Sequence, residues 1–149
     1  MRSGPIAGPA SSASNTGTGL VQELNVYALI GEHGFARLTA AFYRRVPQDD
    51  ILGPMYPAHD LAGAEQRLRD FLIGRLGGPP RYIEQRGHPR LRARHAPFSI
   101  DQAARDRWLA LMRDAIKEAA LPAEAEQFLG MFLDEMSTFL INRGPEPPR

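Results

Sequence analysis

The sequence predicts an all-α domain, and three observations support this prediction. Apolar residues recur at three- to four-residue spacing in four separate stretches, which is the spacing of one face of a helix. Proline, glycine and helix-capping residues stand between these stretches. No stretch alternates apolar with polar residues as a half-buried strand does, and no segment repeats. We therefore expect about four long helices joined by short pieces.

The composition limits the class of protein. A chain of 149 residues with 43% apolar and 23% charged residues suits one globular domain with a real core. The absence of cysteine excludes disulfides, thiolate metal ligands and iron–sulfur clusters. A net charge of +1 argues against a general nucleic-acid partner. No apolar run approaches the roughly 20 residues that span a membrane. There is also no apolar signal core at the start, so we expect a cytoplasmic protein without a membrane partner.

The two ends of the chain differ in composition from the middle. Residues 1–19 are almost wholly glycine, proline, alanine, serine and threonine, which bury little apolar surface. We expect a disordered N-terminal tail there. Residues 144–149, with the sequence GPEPPR, suggest a flexible C-terminal tail. The predicted folded unit is therefore residues 20–143.

The first predicted helix begins at Phe35 and ends at Pro47, after a short apolar segment, residues 24–30, that stops at Gly31. Tyr43 lies at the edge of its apolar stripe. The loop that follows, residues 49–60, keeps several apolar side chains, and a loop of this composition usually lines a site. Those side chains are Ile51, Leu52, Met55 and Tyr56.

Three further helices follow the same spacing. Asp60 is a suitable N-cap for a helix from Leu61 to Leu76, which two glycines and two prolines then stop. Ser99, with Gln102 three residues later, predicts the cap of the next helix. Pro122 suits the first turn of the last one. The expected buried stripe of the third long helix is Ile100, Ala104, Trp108, Leu111, Ala115 and Ala119.

The segment 81–100, RYIEQRGHPRLRARHAPFSI, follows neither a helical nor a strand period and does not read as ordinary core. It holds two histidines, His88 and His95, among five arginines, with Arg75 close by. Clustered cations in a nearly neutral chain indicate an anionic partner, and neutral imidazole ligates metals. Both features together suit an iron porphyrin with its two carboxylates.

Three runs of residues resemble the truncated haemoglobins, specifically group II (the O-type). They are YPAHDLAGAEQRLRDFL at 56–72, GGPPRYIEQRGHPRLRARHAPFSI at 77–100 and RDRWLALM at 105–112. The resemblance extends over about residues 26–142. It implies a two-over-two helical sandwich that holds non-covalent haem b, with iron as its metal.

The resemblance also implies a role for particular residues. The histidine of the Arg-His-x-Pro-Phe run, His95, would be the proximal iron ligand. Tyr43, Tyr56 and Trp108 would be the distal donors that stabilise a bound ligand, and which tyrosine contacts it stays open. Ala64 would face the ligand and, lacking a donor, would leave access for small molecules. The other expected haem contacts, with the propionate partners first, are Tyr82, Arg94, Arg67, Leu68, Phe71, Leu72, Leu91 and Phe98.

Each of these residues also has an ordinary interpretation. A histidine is more often a surface residue than a ligand, and aromatic residues at helical spacing are more often core. Most arginines, including Arg44, Arg45, Arg105, Arg107 and Arg113, suit a solvated face. Buried tyrosine and tryptophan nevertheless need partners for their polar groups, and a ligand with partial negative charge would provide one.

Two functions remain in competition. The first is a haem protein whose five-coordinate iron binds O2, CO and NO, with peroxide as a further substrate. It would serve NO dioxygenation, peroxidase-like turnover or sensing rather than bulk transport, and would need an unidentified reductase. The second is a haem-free helical interaction module whose arginine-rich segment binds an acidic partner. Both readings allow a monomer or a homodimer.

Overall fold

The computed structural model describes residues 24–144, which form helices and turns with no strand among them. The predicted tail at residues 1–19 lies outside this range, as do residues 20–23 and 145–149. The all-α prediction is confirmed. The helices are α1 Val26–Arg45, α2 Leu61–Arg75, α3 Arg81–Arg86, α4 Leu91–His95, α5 Gln102–Ala119 and α6 Ala123–Phe139. Short 3-10 turns occupy Val46–Gln48, Gly53–Met55 and Ala58–Asp60.

Helix α1 joins two pieces that the sequence separates. The apolar segment 24–30 and the helix predicted from Phe35 are continuous, with a kink at Gly31. Gly31 has φ 65° and ψ −175°, a conformation that a residue without a Cβ adopts at little cost. The Asn25 side chain caps the start by accepting a hydrogen bond of 3.0 Å from the Ala28 N–H.

The long helices form two pairs. Helix α1 packs on α2, α5 packs on α6, and α1 also lies across α5, so that one pair covers the other. This arrangement matches the expected two-over-two sandwich. Each fully buried leucine-sized side chain between the pairs contributes about 2 kcal/mol of burial free energy. Those with no exposed surface include Phe35, Leu38, Phe42, Leu72, Ile73, Met112, Leu129 and Leu133.

The helix caps are partly as predicted. Asp60 caps α2, and its carboxylate accepts a 3.2 Å hydrogen bond from the Gly63 N–H. The predicted cap at Ser99 is wrong, because α5 begins later and its N-cap is Asp101, which accepts from the Ala104 N–H at 2.9 Å. Pro122 directly precedes α6, as expected.

The segment without an apolar period forms the two short helices α3 and α4. Gly87 and Arg90, both with positive φ, turn the chain between them. Helix α3 packs against α2 through the buried Tyr82, whereas α4 has no buried residue. Within residues 24–144, no helix has the length and apolarity to cross a membrane.

Candidate functional site

A cavity of about 470 Å³ lies between the long helices and the α3–α4 segment. Its volume is within the usual range for sites that hold a cofactor or substrate, about 300–1,000 Å³. Most of the residues named from the sequence line it. They are Tyr43, Tyr56, Ala64, Arg67, Leu68, Phe71, Tyr82, Leu91, Arg94, His95, Phe98 and Trp108.

Leu72 is the exception among the predicted contacts. It is absent from the cavity lining, and its side chain is fully buried in the core between the helix pairs. Leu68 and Phe71 lie on the cavity face of α2, and the next residue along the helix points about 100° away from Phe71. Leu72 therefore supports the wall from behind.

His95 ends helix α4 and carries the imidazole of the α4 wall. Its Nδ1 lies 2.7 Å from the Leu91 carbonyl oxygen. Because a carbonyl only accepts, Nδ1 carries the proton in this hydrogen bond. The lone pair is then on Nε2, which leaves that nitrogen available to a metal.

Asn142, just after α6, holds the chain that follows His95. Its side-chain amide donates to the carbonyl oxygens of His95 at 3.2 Å and Phe98 at 2.9 Å. Its side-chain oxygen accepts from the Ile100 N–H at 2.9 Å, and its own N–H donates to the Ile100 carbonyl, also at 2.9 Å. The C-terminal end of the described chain thus fixes the backbone around the candidate ligand.

The opposite wall is aromatic. The Tyr43 and Tyr56 rings meet edge to face with centroids 5.6 Å apart, and the Phe42 ring lies behind them, 5.7 Å from that of Trp108. The Tyr43 side chain is buried, with 8% exposed surface. The three predicted donors therefore occur as one cluster.

Both tyrosines of this wall keep their protons far above neutral pH. Burial raises the pKa of Tyr56 to about 12, opposed by a hydrogen bond from Trp108. Burial also raises the pKa of Tyr43 well above its usual value, with a smaller contribution from Tyr56. Both hydroxyls are therefore neutral donors at physiological pH.

Arginines surround the rim of the cavity. Arg94 donates from Nε to the Pro89 carbonyl at 2.7 Å, and its guanidinium lies 5.7 Å from the centre of the Tyr82 ring. Arg67 forms a 3.3 Å salt bridge with Asp60. Arg86, one of the five arginines of residues 81–100, also lines the cavity.

Arg105 departs from its predicted position on a solvated face. It lines the cavity, its side chain is only 14% exposed, and it forms salt bridges with Asp106 and Asp134. Its Nε is buried without a hydrogen-bond partner in the described part of the chain. A buried unpaired donor costs about 1–3 kcal/mol, so a partner in the cavity would be stabilising.

The donor set determines what kind of metal group this cavity suits. The lining holds one imidazole and no carboxylate or thiolate. Likewise, no cluster of three or more His, Cys, Asp or Glu residues occurs within residues 24–144. A metal here would have one imidazole ligand, with only the weak thioethers of Met55 and Met136 and neutral tyrosine hydroxyls besides, so it would bring most of its ligands on an organic group. Rim cations and apolar walls suit a flat, apolar, acid-bearing group, so haem fits the residues present.

The sequence indicated some of the remaining lining residues only indirectly. Leu52 and Met55 come from the loop whose apolar character suggested a lining role, Arg86 belongs to the arginine-rich segment, and Ile100 and Ala104 belong to the predicted buried stripe of the third long helix. Tertiary packing brings the others to the cavity, and the sequence did not place them there. They are Pro57, Arg105, Met136, Ser137 and Leu140.

Comparison with known proteins agrees with this geometry. Residues 25–142 match the bacterial-like globin family. The group 2 truncated hemoglobin YjbI of Bacillus subtilis (strain 168) is 39% identical over 117 residues, which are 78% of this chain and 88% of that protein.

Two solved structures share the fold at similar identity. A thermostable hemoglobin from the actinobacterium Thermobifida fusca is 48% identical with a TM-score of 0.76, covering 80% of this chain and 98% of that one. The truncated oxygen-avid haemoglobin from Bacillus subtilis is 39% identical with a TM-score of 0.76, covering 80% and 100%.

The chain belongs to the bacterial-like globins and, within them, to the group II truncated haemoglobins. Haem, with its iron, is the cofactor of this family, and its globins bind dioxygen. The expected cofactor is therefore confirmed.

Proposed function

We propose that this globin binds dioxygen on a five-coordinate haem iron ligated by His95. Its redox chemistry is either the oxidation of NO by the bound dioxygen or peroxidase-like turnover of peroxide. One observation supports this most directly. A single imidazole with its Nδ1 proton committed to Leu91 shares one cavity with the neutral donors Tyr43, Tyr56 and Trp108. Haem supplies the iron that binds the diatomic ligand and exchanges electrons.

His95 orients the cofactor from the α4 side. Its hydrogen bond to the Leu91 carbonyl sets the tautomer and the direction of the ring. The described lining holds no second histidine, both tyrosine hydroxyls stay protonated at neutral pH, and the methionines Met55 and Met136 would offer only weak thioether ligands. This is the reason for proposing a five-coordinate iron.

The aromatic wall provides hydrogen bonds to a ligand with partial negative charge. Trp108 and Tyr56 line the same cavity, and the Trp108 N–H opposes the rise of the Tyr56 pKa, so the indole N–H and the protonated hydroxyl are both donors at this wall. Tyr43 lines the same cavity and has a neutral hydroxyl. Each such bond contributes about 1 kcal/mol, and more to a charged acceptor.

Rim residues would hold the carboxylates of the cofactor. Arg94 and Arg86 come from the α3–α4 segment, Arg67 from α2, and Tyr82 lies between them. Arg105, with its unpaired Nε, is a further candidate that the sequence did not single out. These cations offset the charge of a cofactor that is otherwise in an apolar site.

Strong distal hydrogen bonding favours chemistry over delivery. Several donors slow the escape of dioxygen, and a slow release is a disadvantage for transport. Ala64, small and without a donor, leaves an approach for a second small molecule such as NO. We therefore propose NO dioxygenation or peroxidase-like turnover, or sensing, in preference to bulk oxygen transport.

The rate of dioxygen release tests the role of the aromatic wall. Trp108→Phe keeps an aromatic ring but removes the indole N–H donor, and we expect release to be about 10-fold faster, equivalent to about 1.4 kcal/mol. Tyr43→Phe is the matched variant that removes a hydroxyl and leaves the Trp108–Tyr56 pair intact. An unchanged release rate in both variants, measured by stopped-flow, would contradict the donor role.

The reaction itself is tested by mixing the oxygen-loaded protein with NO. The proposal predicts nitrate in a one-to-one ratio with NO consumed, and oxidised haem as the other product. Slow release of intact dioxygen without nitrate would contradict this reaction. The alternative function, a haem-free interaction module, is inconsistent with the family, because the members of this family bind haem.

A further inference from the structure

The arginines of this chain divide into two groups by their partners. Most of those outside residues 81–100 form salt bridges with acidic side chains within the described range; they are Arg44, Arg45, Arg67, Arg69, Arg105, Arg107 and Arg113. Inside that segment, only Arg81 does so, with Glu32. The segment holds five arginines and one glutamate, a net charge of +4 in a chain of +1. The rest of the chain is therefore at −3, and positive charge is concentrated at the α3–α4 segment.

The four arginines without acidic partners have two different positions. Arg86 and Arg94 line the cavity and are suited to the cofactor carboxylates. Arg90 and Arg92 are exposed and do not line it, so the cofactor does not account for them. Positive charge that serves neither the fold nor the cofactor is available to a partner outside the chain.

An exposed aromatic side chain lies against Arg92, which is two residues from Arg90. The Arg92 guanidinium lies 5.1 Å from the centre of the Phe139 ring, and Phe139 is 53% exposed. Arginine and large aromatic residues are the types enriched in protein interfaces. We call Arg90, Arg92 and Phe139 the α4 surface.

We propose that the α4 surface is the docking site for an acidic electron-transfer protein that carries flavin or an iron–sulfur cluster. This inference rests on the proposed redox function, in which each turnover leaves oxidised haem. One electron then leaves the reduced donor protein and returns the cofactor iron from the ferric to the ferrous state. Helix α4 ends at His95, so a protein bound here is next to the candidate iron ligand.

The charge distribution favours a protein partner that arrives in one orientation. With the rest of the chain at −3, an acidic partner is attracted to this segment and repelled elsewhere. Such steering raises association rates by 10- to 1,000-fold and weakens as salt is added. A reductase needs that orientation, because electrons must enter near the cofactor.

The test measures reduction of the ferric, haem-loaded protein by a photoreduced acidic [2Fe–2S] ferredoxin. Arg90→Glu/Arg92→Glu should lower the second-order rate constant about 10-fold or more at about 0.01 M ionic strength, with the difference shrinking towards about 1 M. Lys117 is the one lysine of the chain, so the charge-matched comparison uses single variants. Arg92→Glu should slow reduction several-fold, whereas Lys117→Glu, on α5 and outside the cavity lining, should leave it unchanged.

A second variant and a second measurement keep the test independent of folding and of turnover. Phe139→Ser leaves net charge unchanged and should weaken ferredoxin binding several-fold in calorimetry on the ferric protein. Equal slowing by Arg92→Glu and Lys117→Glu, or wild-type binding by all variants, would overturn the proposal. The protein could instead bind phosphatidylserine vesicles through Arg90 and Arg92 and fail to bind ferredoxin. That outcome would overturn the proposal and assign the surface to a membrane.

Failure of the proposed function would look different. Suppose that the wild-type protein takes up haem and that dithionite reduces its iron, but that it produces no nitrate from NO. This result would refute the reaction, and ferredoxin binding could still be measured. Normal nitrate formation with charge-independent ferredoxin reduction would refute only the α4 surface.

Discussion

The two walls of the cavity are built in different ways. The aromatic wall comes mostly from the long helices, where Phe42 is fully buried and Tyr43 nearly so, and Tyr56 joins them from the loop before α2. The α3–α4 wall carries His95, yet α4 has no buried residue and the chain from 96 to 99 is exposed. Packing fixes the first wall. Hydrogen bonds to Leu91 and Asn142 position the second.

This difference implies that bound haem contributes unequally to the stability of the two walls. Side chains of the long helices bury their apolar surface against one another, so that wall can form before the cofactor binds. The apolar side chains near His95, such as Leu91 and Phe98, face the cavity and bury their surface only when it is filled. The α3–α4 wall should therefore depend on haem for its order.

Removal of haem should have the largest effect and should act on one wall. A ligand at 1,000 times its Kd adds about 4 kcal/mol to folded-state stability, which the haem-free protein loses. In hydrogen exchange, the amides of α4 should lose protection first, while those of α1 and α5 remain protected. Equal loss of protection in α4 and α5 would contradict the proposed difference between the walls.

A pair of leucine truncations measures the same difference in the haem-free protein. Leu129→Ala, in the fully buried core of α6, should lower the free energy of unfolding by about 3 kcal/mol through the cavity it leaves. Leu91→Ala, half-buried on α4, should cost less than about 1 kcal/mol there, and should weaken haem binding instead. Chemical denaturation of both variants, with and without haem, gives the four values needed. Equal costs without haem would show that α4 is part of the core.

Asn142 should matter more for haem retention than its surface position suggests. Asn142→Ala removes three side-chain hydrogen bonds to the chain around His95, which together contribute about 2 kcal/mol. We expect haem to dissociate about 10-fold faster and the iron–histidine stretching frequency to shift. Asn142→Asp keeps the acceptor for the Ile100 N–H but turns a carboxylate oxygen towards the carbonyls of His95 and Phe98, so its effect should be at least as large. A lower melting temperature with unchanged haem dissociation would reduce Asn142 to a purely structural residue.

The aromatic wall should titrate only at high pH, so its titration has no effect on stability near neutral pH. With the Tyr56 pKa at about 12 when folded and about 10 when unfolded, the unfolded chain loses its proton first. The contribution of Tyr56 to stability is therefore constant below pH 10 and falls by about 1.4 kcal/mol per pH unit from pH 10 to 12, and Tyr43, whose pKa is also raised, adds to the fall. Tyr56→Phe should reduce that slope in denaturation measured at several alkaline pH values. An identical slope in the variant would show that Tyr56 does not titrate in this way.

The aromatic wall and the long helices could be predicted from the sequence because their signals are local. The spacing of Phe35, Leu38 and Phe42 predicted a buried helical face, and Asp60 predicted the start of α2, as observed. The resemblance to a known family then pointed to the cavity residues, and only Leu72 is placed behind the wall instead of on it.

What the sequence did not predict depends on contacts between distant residues. Ser99 and Asp101 are both good caps, but Asn142 pairs with Ile100 through both backbone and side chain, and α5 starts only after that pair. Arg105 looks like a surface residue until Asp134, on α6, draws it inward. Neither contact leaves a trace in a local pattern, since the partners are about 30 to 40 residues apart.

The axial role of His95 is best tested by the visible spectrum of protein reconstituted with haemin, compared with that of His95→Gly. The wild type should take up one haem per chain, and its reduced spectrum should be that of a five-coordinate, imidazole-ligated iron. The reduced spectrum of His95→Gly should differ, and added imidazole should restore it. A His95→Gly spectrum identical to the wild type, or the absence of stoichiometric haem uptake by the wild type, would contradict His95 ligation at this cavity.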